Sequence, residues 1–575
     1  MAGYDAIVIG SGIGGLTAAA IMARLKGWRV LVLERHFRAG GFTHTFKRPG
    51  GWEWDVGLHY VGGMEPGAMG RRLFDFVTAG EVGWNPMPDS YDRFVYPDFE
   101  FSVPKGEANY RAALIRMFPH ESAAIERYFR DLRGAKGYFV RHAMANSMPR
   151  PMGAALRWFN RLRSTMPLTT TGEYLDSHFR DARLKALLAS QWADYGLPPA
   201  KSAFVTHALI ATHYLDGAWY PEGGAGTIAD AAGRVIRGAD GAILVNHEVR
   251  RILMDGNRAV GVEAMRQQGK GGDMVSGDMV QFEAPVVISD AGAWATYQKL
   301  LPESATVPFR AELDSAADGF TVATLYLGLK RDPRELGFRG ENHWIFDGLD
   351  HDAMLAHQDE LLEGKANGCY LSFPSLKNPR ATAHTAEIIA PLSYGALQQF
   401  RDEPWRRRSP AYQELKGKIA EALLGLVELH HPGFSRLVEY QEISTPLTVE
   451  HFTGHRRGSV YGYPGTPERY RKPWLAPATP VRNLYLTGAD AGSLGIVGAM
   501  MGGVSTAALL LGPLGFVKIV AAASRESARK GGSVPLSGSE ALYNVPIAAQ
   551  FVACALVRAV FALMRTRSRS LLNTE

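Results

Sequence analysis

The spacing of apolar residues changes twice near the start of the chain. Ala6, Ile7, Val8 and Ile9 form a short continuous run that stops at Gly10. The stretch after Gly15 is alanine-rich and helical in character, and residues 29–34 (RVLVLE) are again a continuous run between charged ends. Short unbroken runs read as strands buried on both faces, and the longer stretch between them as a helix. The pattern predicts a β-α-β unit that opens a doubly wound parallel sheet. The same texture returns at residues 220–265, with a glycine turn, a helix, a strand, a hairpin at Asp255-Gly256-Asn257 and a further strand. It returns again at 284–292 (APVVISDAG), a buried strand, and at 481–511, a strand, a glycine-rich turn and an apolar helix. Residues 269–279 (GKGGDMVSGDM) read as a hairpin tip.

Between these blocks the character differs. Residues 71–217 are richer in aromatics, Arg and Met, and residues 144–168 (MANSMPRPMGAALRWFNRLRSTMPL) predict a surface helix with one apolar and one basic face. Near the end, residues 544–570 carry about twenty largely apolar positions followed by Arg565, Arg567 and Arg569, with Gln550, Cys554 and Arg558 on one narrow face. An arginine at mid-span is costly in a bilayer, which favours a helix lying in a membrane interface over a packed helix or a true span.

With 575 residues, 46% of them hydrophobic, the chain can bury a large core in more than one domain. The net charge of +6 is a mild basic excess that suits an anionic lipid surface about as well as a solvated face and is no nucleic-acid signature by itself. The two cysteines, Cys369 and Cys554, lie far apart without histidine neighbours, so neither a disulfide framework nor a thiolate metal site is expected. His430-His431 and the His451/His455 pair lack a carboxylate to complete a metal site. The N-terminus enters a strand at once without a leader pattern, which predicts a reducing, cytoplasmic setting.

Chemistry enters at Gly10-Ser11-Gly12-Ile13-Gly14-Gly15, a G-x-G-x-x-G between strand and helix. Gly10 permits the tight turn, Gly12 the approach of a pyrophosphate, and Gly15 close helix–strand packing. Glu34 ends the second strand about twenty residues on, where a carboxylate can accept both ribose hydroxyls. Arg35, Arg38 and the Gly40-Gly41 doublet follow directly. A doublet there is asked for by FAD in two-dinucleotide-fold flavoproteins and by nothing in NAD enzymes. The late contact that FAD requires is supplied by Gly488 and Asp490 ahead of a helix beginning near Ile496 and Val497. Asp490 is placed at the ribityl or pyrophosphate region, or else as a turn residue, and His44 is placed at the FAD. No second G-x-G-x-x-G provides a stable NAD(P)H site, so NAD(P)H or another external donor or acceptor would meet the flavin only transiently.

The stretches GSGIGGLTAAA, GGFTHTF, WDVGLHYVGG, HYLDGAWYPEGGAGTIADAAGRVIRGADGAIL, APVVISDAGAWATYQKLLP, TPLTVEHFTGHRRGSVYGY and YLTGADAGSLGIVGAMMGG resemble the phytoene desaturase, carotenoid isomerase and retinol saturase group of FAD-dependent oxidoreductases, most of all its retinol saturase (all-trans-retinol reductase) branch. The resemblance runs to about residue 511. It implies a monoamine-oxidase-like architecture. That is an α/β, doubly wound Rossmann-like FAD domain (1–70, 218–293, 475–512) interleaved with an α+β substrate domain (71–217, 294–474), followed by the tail 513–575 with its apolar helix. It implies one non-covalent FAD held at Gly10, Gly12, Gly15, Glu34, Gly40, Gly41 and Asp490, with the Val249 backbone against adenine. It also implies a long apolar polyene or lipid substrate drawn from a membrane. Residues 144–168 have no counterpart in the group, which leaves retinoid, carotenoid and unsaturated acyl chains all open.

Chemistry on a carbon–carbon double bond needs a hydride, which a flavin supplies, and a proton. His59 and Tyr60, in GLHYVGG, are candidate proton carriers on a segment expected to run under the flavin ring, and Tyr461 is a third. His59 donating to a carbonyl with Tyr60 packed in the core is the competing reading. Saturation uses both, desaturation is the reverse, and isomerisation needs only transient electron or hydride transfer without net redox change, so one site serves all three. The rivals are an FAD-dependent amine oxidase and a catalytically inactive flavin-binding lipid escort. A membrane-associated protein on the cytoplasmic side is expected, and a homo-oligomer stays open.

Overall fold

In the computed structural model, which describes residues 3–148, 150–163, 165–268, 277–314 and 318–529, the predicted β-α-β unit is the centre of a five-stranded parallel sheet. Its strands are β1 (Ala6–Ile9), β2 (Val30–Leu33), β3 (Ala242–Leu244), β4 (Val287–Ser289) and β5 (Leu484–Leu486), in the spatial order β3-β2-β1-β4-β5. The order reverses at β1, which places the crevice of a doubly wound sheet at the carboxyl ends of β1 and β4. One face is covered by helix α1 (Ile13–Lys26), the helix Gly226–Arg237 and helix α2 (Gly495–Leu510). The other is covered by a three-stranded antiparallel sheet, His247–Asp255, Arg258–Arg266 and Met279–Glu283, packed with Trp474 and Tyr297.

Two helices cross where only glycine fits. A Cβ on Gly503 of α2 would stand 2.7 Å from Thr17 Cβ, and one on Gly14 of α1 would stand 2.6 Å from the Gly488 amide nitrogen. The bare backbones let α1 and α2 press together over the sheet, and this brings the first and last glycine turns of the chain into contact.

The second domain is a seven-stranded sheet in the order Val438–Ser444, Val322–Leu329, His384–Pro391, Gly368–Ser372, Asn342–Phe346, Ser90–Val95, Glu100–Pro104. Only Ser90–Val95 and Asn342–Phe346 run parallel, since the intervening chain returns from the other domain. Helices Glu107–Met117, Ser122–Asn146 and Phe204–His213 pack on it through an aromatic-rich core that includes Tyr91, Phe94, Tyr128, Phe129 and Phe204. The helix Arg150–Arg163 lies outside against Ser122–Asn146 and leaves Trp158, Phe159 and Leu162 66%, 47% and 65% exposed, the apolar surface helix expected of this stretch. The domains are stitched by small strands: Ala218–Pro221 pairs with Val61–Gly62 and with Trp84–Pro86.

The expected tail helix at 544–570, and residues 269–276 of the hairpin tip expected at 269–279, lie outside the described residues. Among the described residues no single helix is long and apolar enough to cross a membrane. The bent pair Gly495–Leu510 and Gly515–Arg529, at 117°, passes by composition together, but the first is α2, a core helix of the parallel-sheet domain.

Candidate functional site: a nucleotide cradle opening into an aromatic chamber

The crevice above β1 continues as one cavity of about 1010 Å³, which runs from Glu34 and Val249 past Gly10–Gly14, Gly41 and Gly495–Gly498 into the second domain. At its first end the chain ties three turns into one unit. Glu34 Oε2 accepts from the Ser11 amide (2.9 Å) and hydroxyl (2.7 Å), Glu34 Oε1 accepts from the His36 amide (2.7 Å), and Ser11 Oγ accepts from the Gly40 amide (3.1 Å). A carboxylate has about four acceptor positions, and three are filled. Glu34 thus ties the fingerprint turn to the end of β2 and keeps acceptor capacity toward the cavity it lines.

Gly12 caps α1 without a side chain of its own, and the Asp290 carboxyl group takes the Gly12 and Gly15 amides, which leaves Ile13 and Gly14 lining the crevice at the start of the helix. A Cβ on Gly12 would lie 2.5 Å from Asp290 Oδ2, one on Gly15 would lie 2.6 Å from Gly10 O, and one on Gly41 would lie 3.0 Å from Gly12 Cα. Gly10, Gly40 and Gly41 have φ of +92°, +126° and +55°. The cradle is thus closed to side chains and lined by amides, which fits a pyrophosphate. Val249 lines the cavity at a β-bulge between Val249 and Arg251, where the broken ladder turns the main chain toward the crevice. Arg35 stands 3.5 Å from Glu248, and Arg38 Nη1 donates to Thr45 O at 2.9 Å. His44 contacts Gly41 O through Nδ1 (2.5 Å), and burial lowers its pKa to about 4, as it does for His36, so both rings are neutral at pH 7. These residues would hold FAD. The start of α2 (Gly495, Ile496, Val497), where Leu494 caps without a side-chain bond, presents a second helix N-terminus to the same cavity.

Two acids tie the turns of the site together. Asp490 is a clamp: Oδ2 accepts from the Ala293 amide (2.7 Å) and Oδ1 from the Tyr463 amide (2.8 Å), with Arg469 3.9 Å away. Its carboxylate joins three segments at the cavity wall. Asp290, at the end of β4, was not anticipated. Its carboxyl group sits against Gly12, Gly14 and Gly488, and burial raises its pKa to about 8, with Glu34 and Asp490 adding to the shift. The Asp in VISDAG follows a strand that pairs with β1, and that is the signal which would have found it.

The far end of the cavity is walled by Trp192, Tyr214, Trp344, Phe346, Tyr370, Tyr461 and the His59-Tyr60 pair. Tyr60 lies parallel to Tyr214 (4.2 Å, 7°), and Tyr461 lies parallel to Phe320 (6.2 Å, 14°). The Tyr60 hydroxyl contacts Asp194 Oδ2 at 2.8 Å and Asp92 Oδ2 at 3.2 Å. Burial raises the pKa of Tyr60 well above 10. His59 lines the cavity with Nδ1 2.8 Å from Glu387 Oε2, although the pair is misaligned for a hydrogen bond. Lys377, distant in sequence, donates to His59 O (3.0 Å), Asn342 Oδ1 (2.5 Å) and Ser372 Oγ (2.7 Å). Burial lowers its pKa to about 8 against the pull of Glu387, Asp55 and Asp92. The glycines of GLHYVGG serve this packing. A Cβ on Gly62 would strike the His213 carbonyl, and one on Gly57 would lie 3.0 Å from Phe42.

A family model described as "Flavin containing amine oxidoreductase" matches residues 13–341. The all-trans-retinol 13,14-reductase of Rattus norvegicus is 32% identical over 532 residues, covering 88% of this chain and 85% of that protein. Prolycopene isomerase 2 of an Oncidium hybrid cultivar is 25% identical over 532 residues, covering 90% and 85%. Among solved structures, a putrescine oxidase bound to putrescine superposes with a TM-score of 0.58 at 14% identity, covering 88% of this chain and 99% of that one, a likeness of fold.

Proposed function

The chain belongs to the flavin-containing amine oxidoreductases and is an FAD-dependent oxidoreductase, and from that premise we propose that it reduces a carbon–carbon double bond of an apolar polyene of the retinoid or carotenoid kind. One observation carries the reading: the nucleotide cradle and the aromatic chamber are a single cavity of about 1010 Å³, a size at the upper end for a ligand site. Reduction is favoured over isomerisation because a reductase is the nearer relative, at 32% against 25% identity.

Bound FAD would supply hydride to carbon. The protein's own contribution is binding, exclusion of water and a proton. Glu34, Ser11 and the α1 amides hold the nucleotide end, and the start of α2 faces the cavity further along. Trp192, Trp344, Tyr370 and Phe346 exclude water and offer flat faces to a conjugated chain. The cavity continues along Phe139, Val140 and Met144 of the helix Ser122–Asn146 and Phe516 and Val520 of the helix Gly515–Arg529. That path, beside the exposed Trp158, Phe159 and Leu162, supports entry of an apolar substrate from a membrane surface on which the protein rests by this face and its tail. The immediate electron donor is proposed to be external, NAD(P)H or a reduced protein.

The test is anaerobic incubation of the reduced holoenzyme with retinoids, carotenoids and unsaturated fatty acids, read by mass. A gain of two hydrogens is expected. Turnover of amines with no polyene converted would replace this reading with amine oxidation. Liposome flotation of the full chain, compared with a chain lacking residues 532–575 and with Trp158→Glu, tests the membrane contact, and equal flotation of all three would refute it.

A further inference from the structure

We propose that the side chain of Asp194 is the acid that protonates the substrate carbon, with the nearby Asp92 keeping it in its neutral form and Tyr60 positioning it at the cavity wall. The inference rests on the reductive reading above.

Two carboxyl groups share one phenol. The Tyr60 hydroxyl carries a single proton, yet it lies within hydrogen-bond distance of both Asp194 Oδ2 (2.8 Å) and Asp92 Oδ2 (3.2 Å). Two carboxylates meeting at one donor at a buried position repel each other, so one of them keeps its proton. The surroundings decide which. Asp92 is fully buried and accepts from Asn342 Nδ2 (2.9 Å) and Gln191 Nε2 (2.8 Å) besides Tyr60. These donors favour its charged form. For Asp194, Tyr60 is the side-chain donor the geometry provides, and its remaining surface opens into the cavity. The pair is therefore split in the manner that separates an acid from its ionised neighbour. Asp92 is raised to about 6 and Asp194 to about 8, in both cases first by burial, with Asp92 the next cause for Asp194. The other groups around Asp194 act in known directions. Lys377 lowers its pKa, while Tyr195, Tyr214, Tyr370 and Tyr461 face it as neutral phenols with raised pKa values.

The chemistry balances. Reduction breaks one carbon–carbon π bond and forms two C–H bonds. Hydride and its two electrons come from reduced flavin, and the flavin is left oxidised. The proton comes from the Asp194 carboxyl group. Its carboxylate accepts the Tyr60 hydrogen bond until water, admitted as product leaves, returns a proton. A general acid suits its task when its pKa lies near the working pH, which Asp194 satisfies and Tyr60 does not. Tyr60 is a positioning residue. This reassigns the proton role expected of His59 and Tyr60 in the sequence to a residue 134 positions further along.

The test has one arm that needs no substrate. Because Asp290 titrates in the same window, the infrared titration is read as the wild-type minus Asp194→Asn difference spectrum of the FAD holoenzyme, which should show a protonated-carboxyl band at pH 7 that disappears as the pH passes about 8. Absence of that difference band overturns the assignment. In the second arm, Asp194→Asn should retain FAD and its melting temperature while losing about 10²-fold or more in polyene reduction. Unchanged reduction overturns the proposal. Tyr60→Phe removes a donor that favours the Asp194 carboxylate, so the alkaline limb of the pH profile should move upward, whereas a merely structural role leaves the limb in place. If the wild type reduces no polyene, the reaction assigned above fails, while the infrared arm still decides the state of Asp194.

Discussion

Replacing Lys377 by methionine isolates what holds the floor of the chamber. Lys377 is 2% exposed, and its ammonium donates to His59 O, Asn342 Oδ1 and Ser372 Oγ at 3.0, 2.5 and 2.7 Å while facing Glu387, Asp55 and Asp92. Methionine matches its length but has no charge and no donor. Three acceptors lose their partner and the fully buried Glu387 loses its counter-charge. Removing one member of a buried ionic group costs about 3–5 kcal/mol, and three orphaned acceptors at about 1 kcal/mol each come to the same size. With an unfolding entropy of about 1 kcal/mol/K for a unit of this size, Lys377→Met should melt about 3–5 °C lower. Calorimetry at pH 7 measures it. Because the loss comes from an uncompensated carboxylate, Lys377→Met/Glu387→Gln should recover part of it, with a coupling of about 1–3 kcal/mol. A single variant that melts with the wild type or above it, or a double variant that falls by the sum of the singles, would refute the reasoning.

Gly14→Ala places a Cβ 2.6 Å from the Gly488 amide nitrogen and 2.8 Å from Asp290 Oδ1, so it should destabilise by about 1–3 kcal/mol and lower the flavin content, read from the ratio of flavin to protein absorbance. Asp290→Asn removes a slope. The folded chain keeps the Asp290 proton up to about pH 8, whereas the unfolded chain releases it near the ordinary carboxylate value. The contribution of this group to stability therefore falls as pH rises through that window. The melting temperature of the variant should decline less than that of the wild type between pH 5 and 8.5, and parallel profiles would show that Asp290 ionises freely. Trp54→Phe loses the bond from Nε1 to Leu327 O (3.0 Å) and should cost about 1 kcal/mol without changing the flavin spectrum.

The β-α-β unit, the glycine turn at 10–15, Glu34, the 40–41 doublet and the turn before α2 were all legible along the chain. Each is a local pattern, in which period, glycine position and strand end act within about thirty residues. The discontinuous layout was legible for the same reason, since each return to α/β texture carries its own period. The use of each carboxylate was not. Glu34 and Asp490 are divided among neighbouring amides that only folding brings near. Tyr60 meets Asp194 across 134 positions, His59 meets Lys377 across 318, and Asp290 comes under the fingerprint only when β4 pairs with β1. Sequence by itself determined where a dinucleotide would lie, because an amide-lined turn is built by adjacent residues. Tertiary structure alone decided which side chain holds the proton, because a carboxyl group's charge is set by burial and by donors from distant segments, and neither leaves a mark on the residues next to it.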